Sequence, residues 1–105
     1  SYTEVSSAAG GLKAAVEVCG QVNASLATCN TTDNDNISDL AAGAAGGDNV
    51  NTVTVVGSGV ITVTPIAANG ILATDTYIIT PTLSNGQITW DQSGGCEGND
   101  LCKNM

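Results

Sequence analysis

Thr52-Val53-Thr54-Val55-Val56-Gly57-Ser58-Gly59-Val60-Ile61-Thr62-Val63-Thr64 decides how this chain folds. Two runs of β-branched residues alternate apolar with hydroxyl side chains, which predicts two strands, each with one face dry and one wet. Gly57-Ser58-Gly59 between them predicts a hairpin turn. Beyond a turn signal at Asn69-Gly70, the segment Thr76-Tyr77-Ile78-Ile79-Thr80-Pro81-Thr82-Leu83 predicts a third strand. Pro81 has no N–H to give a ladder, so it argues for an edge or a bulge there. Ser84-Asn85-Gly86 then turns the chain into a fourth strand, Gln87-Ile88-Thr89-Trp90-Asp91.

A sheet with one apolar face needs a cover, and the pattern upstream predicts one. Residues 2–19 read as an amphipathic helix: Val5, Ala9, Leu12, Val16 and Cys19 fall in one stripe, with Ser6, Ser7 and Glu17 across from it. Lys13 and Glu17 stand at the i,i+4 spacing, in the weaker order for an ion pair. Gly20 is a stop signal. Gly10-Gly11 is costly in a helix interior, at about 1 kcal/mol each against alanine, and reads either as a tolerated kink or as a place where another backbone comes close. Between helix and sheet, 21–50 loses periodicity. Thr31-Thr32-Asp33-Asn34-Asp35-Asn36 is turn-forming and Ala41-Ala42-Gly43-Ala44-Ala45-Gly46-Gly47 small and flexible, with one short helical turn expected around Ile37-Ser38-Asp39-Leu40. The expected fold is α+β: an N-terminal amphipathic helix packed on a four-stranded antiparallel sheet.

A chain of 105 residues makes one domain, burying roughly 65% of its unfolded surface. Its core has to be aliphatic, since there is no Phe and the aromatics are Tyr2, Tyr77 and Trp90. Ten acidic residues face two basic ones, Lys13 and Lys103, for a net charge of −8. That balance disfavours direct nucleic-acid binding and anionic membrane surfaces, both of which need cations. There is no transmembrane segment and no signal peptide in the sequence. The chain opens at Ser1, already in helical pattern, and is expected to be the soluble remainder of something longer.

Four cysteines form two close pairs, Cys19 with Cys29 and Cys96 with Cys102. Without histidine or zinc-type spacing, they favour disulfides and an oxidising compartment; three connectivities are open. Catalytic groups are scarce. No His means no usual general base and no Ser-His-Asp or Cys-His pair, and no phosphate loop or dinucleotide fingerprint is present. The chain is read as a non-enzyme without cofactors. Asp33, Asp35 and Asp39 alternate like a calcium loop, but Ile37 occupies a ligand position and no Glu closes it, so a polar surface loop is the better reading. Three sequons, at Asn23, Asn30 and Asn36, indicate a stretch that tolerates exposure. Tyr77 and Trp90 could form a binding platform, although a lone strand Trp more often packs at a core or edge.

Ala8-Ala9-Gly10-Gly11-Leu12-Lys13-Ala14-Ala15-Val16-Glu17 resembles the amphipathic half of the long N-terminal helix of bacterial type IV pilins. Gly86-Gln87-Ile88-Thr89-Trp90 followed by a two-cysteine loop is similar to the last strand and disulfide-bounded D-region of that family. The resemblance runs through the whole chain in order. It implies a single pilin domain over 1–105: helix 1–20, αβ-loop 21–50, β-meander 51–91 and D-region 92–105. The family's hydrophobic, membrane-anchoring first helical half is absent, so the chain resembles a truncated soluble pilin, not expected to assemble normally by itself. The pair Cys19/Cys29 is not general in the family. Among the connectivities, 19–29 with 96–102 is expected, because both loops can close locally.

What the resemblance implies for function is a structural subunit of an extracellular type IV pilus, held at the bacterial inner membrane and periplasm before assembly. Such fibres support surface adhesion and twitching motility, and in some cases biofilm formation or DNA uptake. Partners would be other pilin subunits, the pilus assembly machinery and host or abiotic surfaces. Val5, Leu12 and Val16 are expected to pack the helix on the sheet, and Gly10, Gly11 and Ala14 to face neighbouring helices of the filament. Glu97, Gly98, Asn99, Asp100 and Leu101 would be the exposed D-region loop. A minor pilin or a type II secretion pseudopilin is the nearest alternative; pseudopilins tend toward calcium-organised C-terminal loops, against which Cys96/Cys102 argues. A secreted glycan- or calcium-binding module is the alternative from another class.

Overall fold

The computed structural model describes residues 2–45, 50–67 and 71–97. In chain order it holds α1 (Tyr2–Asn23), α2 (Asp35–Ala44), β1 (Val50–Val56), β2 (Val60–Pro65), β3 (Tyr77–Ser84), β4 (Gln87–Ser93) and a single 3-10 turn, Gly95–Glu97. The strands form one antiparallel sheet in the order β1-β2-β3-β4. This is the expected meander, with α1 laid on one face. The Asn69-Gly70 turn signal lies outside the described residues.

Alternation in the strands works as the residue types dictate. Val53 and Val55 of β1, Ile61 and Val63 of β2, and Tyr77 and Ile79 of β3 are buried, while the intervening Thr54, Thr62 and Thr80 face away from the helix. A register shift between Val50 and Thr52 adds one residue to β1, so that Val50 and Val53, three apart, both turn inward. The β3–β4 connection is a two-residue turn with Asn85 at φ 52 and Gly86 at φ 77. Positive φ at both positions is the hairpin geometry that Asn-Gly favours.

Pro81 lies in a strand that has neighbours on both sides, not on a sheet edge. Ile61 pairs with Ile79, so β2 has given way to its Gly57–Gly59 turn by the level of Pro81. On the other side Pro81 faces Trp90, one step out of phase with the Ser84–Gln87 pair that closes the hairpin. That places it at a non-hydrogen-bonded position toward β4, and its missing N–H disrupts no ladder.

The apolar stripe of α1 forms the lid of the core. Val5, Ala9, Leu12 and Val16 are buried essentially completely, together with Ile37 and Ala41 from α2. The helix does not stop at Gly20 but runs to Asn23. Its end is a Schellman-type cap: Ala24 takes φ 52, and the Ser25 N–H donates to the Gly20 carbonyl at 3.2 Å. Gly20 has a packing reason instead. A Cβ there would lie 2.8 Å from Ile88 Cδ1 and 2.9 Å from Leu26 Cδ2. At Gly10 and Gly11 a Cβ would meet nothing within 4 Å, so no backbone of this molecule approaches them.

The connection from helix to sheet is more ordered than its composition suggests. The expected single turn at 37–40 is a ten-residue helix, and the Ala41–Ala44 run belongs to it. Asn34 starts α2 by accepting from the Ile37 N–H at 3.0 Å, and Ile37 and Ala41 anchor one side of it four residues apart. Past β4, the Gly94-Gly95 pair lets the chain lie directly on the backbone of Thr74 and Thr76; the Cys96 N–H donates to the Thr76 carbonyl at 3.0 Å. A methyl at Gly95 would overlap the Thr74 carbonyl. Gly95→Ala is therefore expected to destabilise the fold by about 1–3 kcal/mol, the usual range for overpacking. Urea denaturation followed by far-UV circular dichroism checks this, and an unchanged midpoint would contradict the contact.

Candidate functional site

The outward face of α1 has an unusual chemistry for so acidic a chain. From Ser7 to Asn23, the exposed positions are Ser7, Gly10, Gly11, Ala14, Val18, Gln21, Val22 and Asn23, without one charge among them. The two charged side chains of this stretch, Lys13 and Glu17, are half-buried at the flank facing β4. There the Trp90 indole N–H donates to Glu17 Oε2 at 2.9 Å, and Lys13 Nζ stands 5.8 Å from the Trp90 ring centroid. A cation over a Trp face and an indole–carboxylate bond both tie β4 to the helix. Trp90 thus packs at the sheet's edge, on the helix side. Tyr77 is buried in β3 on the same side, so the two form no open platform. Burial pushes the Tyr77 phenol above its ordinary value of 10.0.

Beside α1, helix α2 leaves a groove of about 510 Å³ whose lining includes Gly11, Leu12, Leu40, Gly43 and Ala44. Gly11 and Ala14 thus lie on an open face, while Val5, Leu12 and Val16 lie underneath.

The far end of α1 is bolted down. Cys19 and Cys29 form a disulfide with Cα atoms 5.8 Å apart, and both residues are buried. The bridge carries the chain back to the edge of β1, where Asn30 takes over. Asn30 is buried; its Nδ2 donates to the Gly57 carbonyl at 2.8 Å, and its Oδ1 accepts from the N–H groups of Thr32 and Asp33 at 3.0 and 2.8 Å. Alongside it the Thr31 N–H donates to the Val55 carbonyl at 3.0 Å, covering part of the exposed edge of β1. Asn30 was legible only as a sequon, and its amide is committed inside the fold. The signal that points to its real role is the Asn-Thr-Thr-Asp order, a turn in which the side chain bonds the backbone two and three residues on. Asp35 and Asp39 belong to α2, with Asn34 as its cap, so this stretch is a helix start and not a calcium-type loop.

At the C-terminal end, Cys96 is fully buried and disulfide-bonded. Its expected partner Cys102 lies outside the described residues, as do Gly98, Asn99, Asp100 and Leu101. Glu97 is exposed, and its Oε2 accepts from Gln92 Nε2 at 3.3 Å.

Two measurements probe these ties. Replacing Cys19 and Cys29 together by serine is expected to lower stability by about 2.5–3 kcal/mol, the loop-entropy figure for a ten-residue separation; an unchanged thermal midpoint would contradict it. Glu17→Ala removes the indole's acceptor, so the emission of the only Trp is expected to shift red, with a loss of about 1 kcal/mol. Unaltered emission would mean that Trp90 does not lean on the helix.

No helix among the described residues is long and apolar enough to cross a membrane. Neither the curated proteins nor the solved structures give a match to the chain. The family model for pilin, the bacterial filament subunit, matches residues 1–104. That span takes in α1, the α2 connection and the whole meander. The chain belongs to the pilin family, whose members are structural subunits that assemble with one another into bacterial filaments.

Proposed function

We propose that this chain is a repeating subunit of an extracellular type IV pilus that supports surface adhesion and twitching motility, with biofilm formation or DNA uptake as further uses of the same fibre. The observation that carries this is the outward face of α1. A subunit of net charge −8 repels its copies, and the repulsion is least where a face bears no charge. Gly10, Gly11 and Ala14 supply such a face, with side chains small enough for another helix to come close. On this reading the pilus assembly machinery handles the subunit at the inner membrane, and host or abiotic surfaces meet the finished fibre. The D-region loop 97–101 and the stapled 19–29 loop form its outward and intersubunit surface.

The test is made in the producing bacterium. Deleting the gene should abolish fibres in electron micrographs and collapse twitching zones. Ala14→Glu places a charge where the folded subunit has room, so the purified domain should keep its stability. Fibre yield is expected to fall at least about tenfold, since an unpaired charge taken out of water against a neutral face costs more than about 1.4 kcal/mol. Normal fibres from Ala14→Glu, or fibres in which Gly10 and Ala14 face solvent, would overturn the assignment of this face. Normal piliation after deletion would overturn the pilus role itself.

A further inference from the structure

Two features of α1 share one arc, and the folding of the single subunit uses neither. Near the start of the helix, Ser7, Ala8 and Gly11 form with Leu40 and Gly43 of α2 the wall of the apolar groove. Gly11 and Gly43 keep it open, since a Cβ at either position would meet nothing within 4 Å. Further along, Val18 and Val22 protrude, 64% and 78% exposed. At about 100° per residue, Val18, Gly11 and Val22 fall on the same side of the helix. At 1.5 Å per residue, the valine pair stands roughly 15 Å above the centre of the groove.

Exposed valines on a surface helix and an apolar groove on the same molecule call for a partner that has both. Charge points to a second copy of this chain. The arc between groove and valines carries no charge, and the one acid in the groove lining is Asp39. An anionic copy can therefore meet this strip with little repulsion, which it cannot do at the acidic α2 start or at Asp91 and Glu97. We propose that Val18 and Val22 of one subunit seat in the α1/α2 groove of the next, with the two α1 helices parallel and offset by roughly 15 Å along the fibre. This rests on the pilus reading. Because knob and groove lie at different heights on one helix, each subunit gives its valines to one neighbour and its groove to another. The contact is heterologous, does not close, and grows a filament.

An antiparallel two-fold pair would fill both grooves at once and stop at a dimer, which makes the geometry testable. Val22→Cys and Leu40→Cys are introduced together into the chromosomal gene, and sheared fibres are mildly oxidised and run on a non-reducing denaturing gel. A ladder of covalent oligomers rising beyond the dimer is expected, with neither single variant giving one. Dimers alone would overturn the parallel arrangement, and no cross-link in intact fibres would overturn the contact. If the cysteine pair prevents fibres from forming, Val22→Lys and Leu40→Asp decide the matter: each alone should cut fibre yield about tenfold, and the two together should restore it. No recovery overturns the proposal. Should the unaltered chain itself make no fibres, the pilus reading fails first and takes this contact with it.

Discussion

Everything in this molecule hangs on the burial of one helical stripe against one face of a β-meander. The sheet is built from strands whose inward residues are almost all Val, Ile or Tyr, and α1 is what keeps water from them. Val5, Leu12 and Val16 are each worth about 1.5–3 kcal/mol on transfer from water, an upper figure because the unfolded chain already hides some of its surface. With no Phe, and Tyr77 the one buried aromatic among the described residues, most of that sum has to come from aliphatic contacts, which must therefore be complete. They are: Val5, Val16, Ile37, Val55, Ile61 and Val63 are wholly buried.

A lid held by so few side chains needs fastening at its margins. At one end the Cys19–Cys29 bridge and the buried Asn30 clamp the helix terminus to the edge of β1 and to its turn at Gly57. Along the side, Glu17 and Lys13 reach Trp90 on the opposite edge strand. The two edges of the sheet are thereby each tied to the same helix. Fixing α1 from both sides also fixes the direction of its outer face, the uncharged run of exposed residues from Ser7 to Asn23.

That outer face is a neutral strip on an otherwise acidic protein. Acidic groups are placed at the start of α2, in β4 and after it, while the exposed strip of α1 is left neutral. Repulsion between copies of so acidic a chain is therefore weakest at this strip. Gly10 and Gly11 are expensive for helix formation, and a Cβ at either would meet nothing within 4 Å, so no close packing among the described residues requires them.

Residue patterns alone determined the strands, their order as a meander and the helix that covers them. Period-two and 3.6-residue repeats reflect which side chains leave water, and that preference is local and strong. The pairing of Cys19 with Cys29 was equally legible, because a short loop brings its own ends together. Three things needed the tertiary structure. Gly20 looked like a helix stop because glycine often ends helices, yet it serves the close approach of Ile88 and Leu26, residues set by the rest of the fold. Alanine-rich 41–44 looked flexible because its helical stability comes from Ile37 and Ala41 meeting a surface that no local sequence reveals. Trp90 and Glu17 are seventy-three residues apart, and only the folding of the sheet under the helix makes them partners. Periodicity is written into neighbours along the chain; contact between distant residues exists only once the core has closed.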